Sequence, residues 1–200
     1  MVNKIYTIGD FIEALDNAGL LMGTDISDAY AKTEVTELTF DSRKVTPGTL
    51  FIAKGVHFKE EYLFSSIEKG AVALFCEEEL PLNVPQIIVE DTKRTMAKIA
   101  AAFYNEPSKA INLYGVTGTN GKTTVTHLLQ RILEENKQKC ALIGTLGYKL
   151  SSNDDYKDAK HTTPQPPELQ RDLRLMADSD IQNVVMEVSS HSLEIGRAHV

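Results

Sequence analysis

The sequence predicts an α/β fold in two parts: a small mixed α/β domain at residues 1-108, then a mostly parallel-sheet domain at residues 109-200 that is incomplete at its C-terminal end. Three observations carry this expectation. Short apolar runs such as "AVALFC", "CALIGT" and "NVVMEV" alternate with longer stretches of helical spacing, the pattern of parallel strands covered by helices on both faces. A glycine-rich turn, "GVTGTNGKTTV" at residues 115–125, lies between such a strand and such a helix. The helical run "TKRTMAKIAAAFYNEP" is closed by Pro107, and a new strand-first unit begins just beyond it.

Taken in order, "IGDFIEALDNAG" has helical spacing and a closing glycine, and "TELTFDSRKVTPGTLFIAKG" reads as two strands joined by a Pro-Gly turn. "EEYLFSSIEKG" is a helix, "AVALFC" and "PQIIVE" are strands, and "TKRTMAKIAAAFYNEP" is a helix. The second part runs strand "AINLYGVTG", helix "KTTVTHLLQRILEENK", strand "CALIGT", helix "PPELQRDLRLMADSD" and strand "NVVMEVSS". The polar stretch at residues 151–160 reads as an exposed loop. A doubly wound domain rarely stops one strand after its last helix, so the sequence is expected to be a piece of a longer protein.

Composition narrows the class. The 200 residues are 42% apolar and 24% charged, with a formal net charge of −7, which argues against broad binding to nucleic acid or to acidic lipid. No apolar run reaches the length that crosses a bilayer, and the expectation is a cytoplasmic monomer. Cys76 and Cys140 each adjoin apolar residues and are expected to be buried, reduced thiols.

The glycine-rich turn is the chemical centre of the sequence. The standard phosphate loop is G-x-x-x-x-G-K-[ST]; counted back from Gly121 its first glycine falls on Val116, while the glycines present are Gly115, Gly118 and Gly121. It is a shortened variant in the right setting, after an apolar strand and before a long helix. Backbone N–H groups of Gly118, Thr119, Asn120 and Gly121 crowd around phosphate oxygens, the helix N-terminus adds partial positive charge, Lys122 reaches the β and γ phosphates, and Thr123 is placed to bind Mg2+. The bland alternative is a glycine turn with an incidental lysine. A nucleotide loop also wants a carboxylate on a neighbouring strand, and Glu187 ends one; it is otherwise an acid emerging into solvent. Ser189, Ser190 and His191 follow it, either as substrate contacts or as turn residues and a structural histidine. His127, on the helix after the loop, reads as exposed or packed rather than chemical. No G-x-S-x-G elbow and no helical H-x-x-x-H pair is present.

These stretches together resemble the Mur ligases, ATP-dependent amide-bond-forming enzymes of peptidoglycan synthesis. "GTNGKTT" (Gly118 to Thr124) is similar to their short loop, "TFDSRKVTPGTLFIAKG" (Thr39 to Gly55) to the stretch that holds the uridine of their carrier nucleotide, and "HTTP" (His161 to Pro164) with "MEVSSHSLEIGR" (Met186 to Arg197) to the branch that adds the third amino acid. The resemblance covers almost the whole chain. It implies an amino-terminal UDP-substrate-binding domain, a central ATP-binding domain, and ligation of a diamino acid, meso-diaminopimelate or L-lysine, to UDP-N-acetylmuramoyl-L-alanyl-D-glutamate through an acyl phosphate.

Carried over position by position, the resemblance implies that Phe40, Ser42 and the region of His57 contact the UDP part. His161, Thr162 and Thr163 hold the muramoyl peptide, together with Ser189 and Arg197, the latter offering a planar fork to an anion. ATP lies on Gly118 to Thr124, Mg2+ on Thr123 and Glu187, and the catalytic set is Lys122, Glu187 and His191. One position departs, Ile195, where some members have Gln. In this family a modified lysine and a carboxy-terminal domain follow the last residue here, so the 200 residues alone are expected to bind weakly and not to turn over. Within the superfamily, the D-alanyl-D-alanine-adding member remains the near alternative; folylpolyglutamate synthases lack the uridine domain. A non-catalytic UDP-sugar-binding module would not need Lys122 or Glu187, and a regulatory P-loop switch predicts an N-K-x-D motif that the sequence lacks.

Overall fold

A computed structural model describes residues 6–53, 60–157 and 164–189. The chain divides into two compact units, residues 1–99 and 100–200, nine residues before the 108/109 division that the sequence predicts.

In unit 1 the chain begins with β1 (Tyr6–Thr7) and α1 (Ile8–Asn17). The helix starts at Thr7 because a capping box satisfies its end: the Asp10 carboxylate accepts from the Thr7 backbone N–H at 2.7 Å, and the Thr7 hydroxyl accepts from the Asp10 N–H at 3.3 Å. Ile8, Phe11 and Leu15, on one face, are buried. Next come β2 (Leu21–Thr24), a 3-10 turn (Tyr30–Lys32), β3 (Glu34–Val35), β4 (Glu37–Thr39), β5 (Thr49–Ile52), α2 (Glu60–Glu68), β6 (Ala71–Cys76), β7 (Gln86–Val89) and α3 (Thr92–Phe103), the last crossing the division between the units. β3 pairs with β1. The main sheet has the order β2-β7-β6-β5-β4, parallel from β7 to β4, with β2 as an antiparallel edge. All four residues of β5 are buried, as a strand covered on both faces must be; on one face Phe51 and Leu74 pack with Val45 and with Leu63 of α2.

One expectation is corrected here. β4 and β5 are two strands, but no Pro-Gly turn joins them directly: Glu37 pairs with Thr49 and Thr39 with Phe51 in parallel, so residues 40–48 must carry the chain back to the start of the sheet. Pro47 and Gly48 instead lock the entry to β5. Thr36 donates its hydroxyl to the Pro47 carbonyl at 3.0 Å, Gly48 has φ +89°, and a Cβ at Gly48 would collide with the Thr36 side chain. The crossover leaves residues 40–42 at the carboxyl edge of the parallel strands.

Unit 2 follows the same logic. After a 3-10 turn (Pro107–Lys109) come β8 (Asn112–Val116), α4 (Lys122–Glu135), β9 (Cys140–Gly144), β10 (Gly147–Lys149), α5 (Pro166–Asp178) and β11 (Asn183–Glu187). The order is β10-β9-β11-β8, with β8, β11 and β9 parallel. β10, which has no counterpart among the elements predicted from the sequence, turns back on β9 through Thr145 and Leu146, with Gly147 at φ +114°. The core lies between the sheet and α5: Ala141, Ile143, Val184 and Met186 against Leu169, Leu173 and Met176. On α4, Thr126 and Gln130 are fully buried, and the Gln130 amide donates to the Cys140 carbonyl at 2.9 Å. Residues 151–157 are not simply an exposed loop, since Tyr148 and Lys157 exchange backbone hydrogen bonds of 2.9 Å and Tyr156 is half-buried. Both cysteines are buried free thiols, and burial pushes Cys76 up to about 11 and Cys140 up to about 12. Among the described residues no helix is long and apolar enough to cross a membrane.

Candidate functional site

The phosphate-loop residues lie at the carboxyl edge of the unit 2 sheet. β8 ends at Val116 and α4 begins at Lys122, so residues 117–121 are the whole connection, and all five are exposed. Gly118 has φ +146° and Gly121 φ +79°, conformations open to glycine at little steric cost. Gly121 is the N-cap of α4 and has no side chain to cap it; the first-turn amides therefore face outward, at the positive end of the helix dipole. Lys122 folds back over the loop, its ammonium donating to the Gly118 carbonyl at 2.8 Å. Amides, helix end and ammonium together make an anion cradle.

Glu187 sits beside that cradle. In the register of β11 on β8 it pairs with Val116, and the Val188 N–H donates to the Val116 carbonyl at 2.9 Å. The sequence alternative of a strand-end acid in solvent is set aside, because Glu187 is only 1% exposed. Thr145, just past β9, donates to the carboxylate through its hydroxyl at 3.0 Å and its N–H at 3.4 Å. Gly144 makes room: a Cβ there would overlap the carboxylate of Glu187. A buried carboxylate and the Thr123 hydroxyl in the first turn of α4 are hard oxygen donors, the kind Mg2+ takes one or two of while keeping phosphate oxygens and waters. The residues fit that ion.

His127, read from the sequence as a bystander, and Tyr156, not singled out there, belong to this region. The Thr123 carbonyl accepts from the Thr126 hydroxyl at 3.0 Å and from His127 Nδ1 at 2.6 Å, and His127 Nε2 is 2.5 Å from the Tyr156 hydroxyl. Burial first, and the charge of Glu187 second, raise the Tyr156 pKa. Lys149 holds its ammonium 5.1 Å from the centre of the Tyr156 ring.

In unit 1, Phe40 and Ser42 occupy the turn that leaves β4. Asp41 organises it: its N–H donates to the Thr39 hydroxyl at 3.2 Å, and its carboxylate accepts from the Arg43 backbone at 3.1 Å and from both arms of the Arg43 fork at 2.8 Å. The hydrogen bond from the Arg43 side chain holds Asp41 at about 2, well below the usual carboxylate range. Lys69, beyond α2, donates to the Ser42 carbonyl at 2.8 Å.

Residues 116–199 match the Mur ligase middle domain, a match that opens on the last residue of β8 and runs through the cradle and Glu187. That stretch of the chain is a Mur ligase middle domain. A UDP-N-acetylmuramoyl-L-alanyl-D-glutamate–2,6-diaminopimelate ligase from Listeria innocua is 44% identical over 174 residues, 86% of this chain and 35% of the relative. A ligase of the same name from Lactiplantibacillus plantarum is 45% identical over 166 residues, 82% of this chain and 33% of its own length. The chain thus spans about a third of the length of these relatives. A solved structure of that ligase superposes with a TM-score of 0.70 at 28% identity, over 86% of this chain and 36% of its own. MurF from Acinetobacter baumannii shares the fold alone, with a TM-score of 0.59 at 19% identity, over 95% of this chain and 37% of its own.

The fold brings Gly118, Thr119, Asn120, Gly121, Lys122, Thr123, Thr124, Glu187 and Ser189 to one sheet edge of unit 2, and Phe40 and Ser42 to one edge of unit 1. His57, His161, Thr162, Thr163, His191 and Arg197, with Ser190 and Ile195, lie outside the described residues. Gly144, Thr145 and Tyr156 escape the sequence reading. The "GTLG" after β9 was the available signal, since a glycine and a hydroxyl at a strand's carboxyl end invite a close neighbour.

Proposed function

We propose that the full-length protein is an ATP-dependent ligase that joins a diamino acid, meso-diaminopimelate in preference to L-lysine, to UDP-N-acetylmuramoyl-L-alanyl-D-glutamate, forming ADP and phosphate. The observation that carries this reading is the extent of the likeness. A stretch of 174 residues at 44% identity exceeds either unit, so it includes the carrier-nucleotide turn as well as the phosphate cradle, and a phosphate cradle alone would suit many phosphoryl transfers.

In this reading residues 1-108 bind the UDP substrate, with Phe40, Ser42 and His57 as contacts to its nucleotide. His161, Thr162, Thr163, Ser189 and Arg197 hold the muramoyl peptide, and Lys122, Glu187 and His191 form the catalytic set. The amides of Gly118 to Thr124 and the Lys122 ammonium grip the triphosphate. A carboxylate does not condense with an amine in water, because it lacks a leaving group. Transfer of the γ-phosphoryl to the substrate carboxylate supplies one; the amine then attacks the acyl phosphate, and phosphate departs. Both steps gather negative charge on oxygen, which Lys122 and the loop amides are pre-arranged to meet. Mg2+ on Thr123 and Glu187 would add a divalent charge at the same oxygens. The protein acts as a cytoplasmic monomer with no nucleic acid or membrane partner.

The test is phosphate release by the full-length protein with ATP, Mg2+, the UDP-muramoyl dipeptide and single candidate amines. Release that requires both the dipeptide and meso-diaminopimelate is expected. Release indifferent to the amine, or dependent on D-alanyl-D-alanine with the tripeptide carrier, overturns the reading.

A further inference from the structure

We propose that His127 and Tyr156 are positioning residues for the nucleotide: a hydrogen-bonded strut from the 150–157 loop to the Thr123 carbonyl that sets the first turn of α4 and thereby the Thr123 hydroxyl. The inference rests on the reading of Thr123 as a contact to ATP and its metal.

The geometry determines which way each proton points. A backbone carbonyl can only accept, so the 2.6 Å contact to Thr123 requires His127 Nδ1 to carry the proton. With Nδ1–H in place, a neutral ring presents Nε2 as an acceptor, and the 2.5 Å contact is filled by the Tyr156 hydroxyl donating. Burial and the neighbouring Glu187 charge both keep that hydroxyl protonated, so the tyrosine remains a donor and the tautomer is held. Tyr156 is itself anchored. The next residue, Lys157, exchanges two backbone hydrogen bonds with Tyr148 of β10, and Lys149 of the same strand donates to the Ser152 carbonyl at 3.2 Å and covers the tyrosine ring.

The strut therefore runs from a sheet edge to a helix end. Its target is unusual in taking two side-chain donors on one carbonyl, Thr126 and His127, in the turn that carries Thr123. Side chains bonding to carbonyls three and four residues back act on the local geometry of a helix, and here both bonds fall on the residue whose hydroxyl must meet the ligand. Sub-ångström placement of such a group is worth large factors in binding and rate.

The experiment uses the full-length protein and steady-state phosphate release. Tyr156→Phe removes one hydroxyl from a half-buried site and is expected to raise the KM for MgATP about five- to tenfold, leaving the KM for the UDP-muramoyl dipeptide within about twofold. His127→Asn keeps a donor near Nδ1 and loses the link to Tyr156. It should give a similar rise, and adding Tyr156→Phe to it should give no further change. An unaltered MgATP KM in Tyr156→Phe, equal rises for both substrates, or additive effects in the double variant would overturn the proposal. Nitrogen NMR of His127 separates this from failure of the ligase reading. If wild-type protein releases no phosphate, the ligase reading falls; a ring that does not carry its proton on Nδ1 in wild type sinks the strut on its own.

Discussion

The carboxyl edges of the two sheets use opposite means to prepare for a ligand. In unit 1 the turn after β4 is tied by its own side chains: Asp41 to Arg43 and Thr39, and Lys69 to the Ser42 carbonyl. In unit 2 the turn after β8 has two glycines among its five residues and is crossed by the Lys122 bond to Gly118, while Thr145 holds Glu187 on the neighbouring strand. The difference matches what each turn would meet under the proposed function. A nucleoside presents few, directional polar atoms and suits side chains locked in advance. A triphosphate presents many equivalent oxygens and suits a ring of amides that must stay bare until it arrives.

Breaking each edge in turn tests that contrast. The largest effect belongs to Lys122→Ala, which should lower phosphate release by the full-length protein by at least about a hundredfold while leaving the Kd for the UDP substrate within about twofold by calorimetry. A parallel loss of both would mean that the two edges are one site energetically. Gly144→Ala comes next: the added methyl meets the Glu187 carboxylate, and overpacking there should cost about 1–3 kcal/mol in urea unfolding, with a higher Mg2+ requirement for turnover.

The unit 1 turn should respond through protons instead. The Asp41 carboxylate, held at about 2 by the Arg43 fork, has a depressed pKa. Its contribution to stability is therefore complete above its ordinary value near 3.8 and is lost as pH falls through about 2. In Arg43→Gln the carboxyl titration seen by NMR should move back toward 3.8. The smallest effect is a null result that both units share: Cys76 and Cys140, with thiols pushed to about 11 and about 12, should not react with a thiol reagent at pH 8 until the chain is unfolded.

Most of the helices and the longer strands were legible because each carries its own period and its own ends. The capping box at Thr7 and Asp10, the apolar face of α1, and the continuous apolar runs of β6 and β9 are local signals, readable without a partner. β10 was not, since "GYK" acquires its pairing only from Gly144 to Leu142 across the turn. The parallel pairing of β4 with β5 was hidden for the same reason, behind a Pro-Gly pair that locally reads as a turn joining two strands.

At the site, the glycine loop, Lys122, Thr123 and Glu187 were determined by the sequence itself, because a phosphate cradle is one continuous stretch with a fixed order of residues and Glu187 ends a strand. Tertiary structure decided what surrounds them. Glu187 is buried rather than solvated, since β11 lies between β8 and β9 and Thr145 closes over it; His127 is bonded rather than loose, since a residue twenty-nine positions away reaches back to it. Order along the chain is enough to specify a turn, but burial and hydrogen-bond partners depend on which segments the sheet sets side by side.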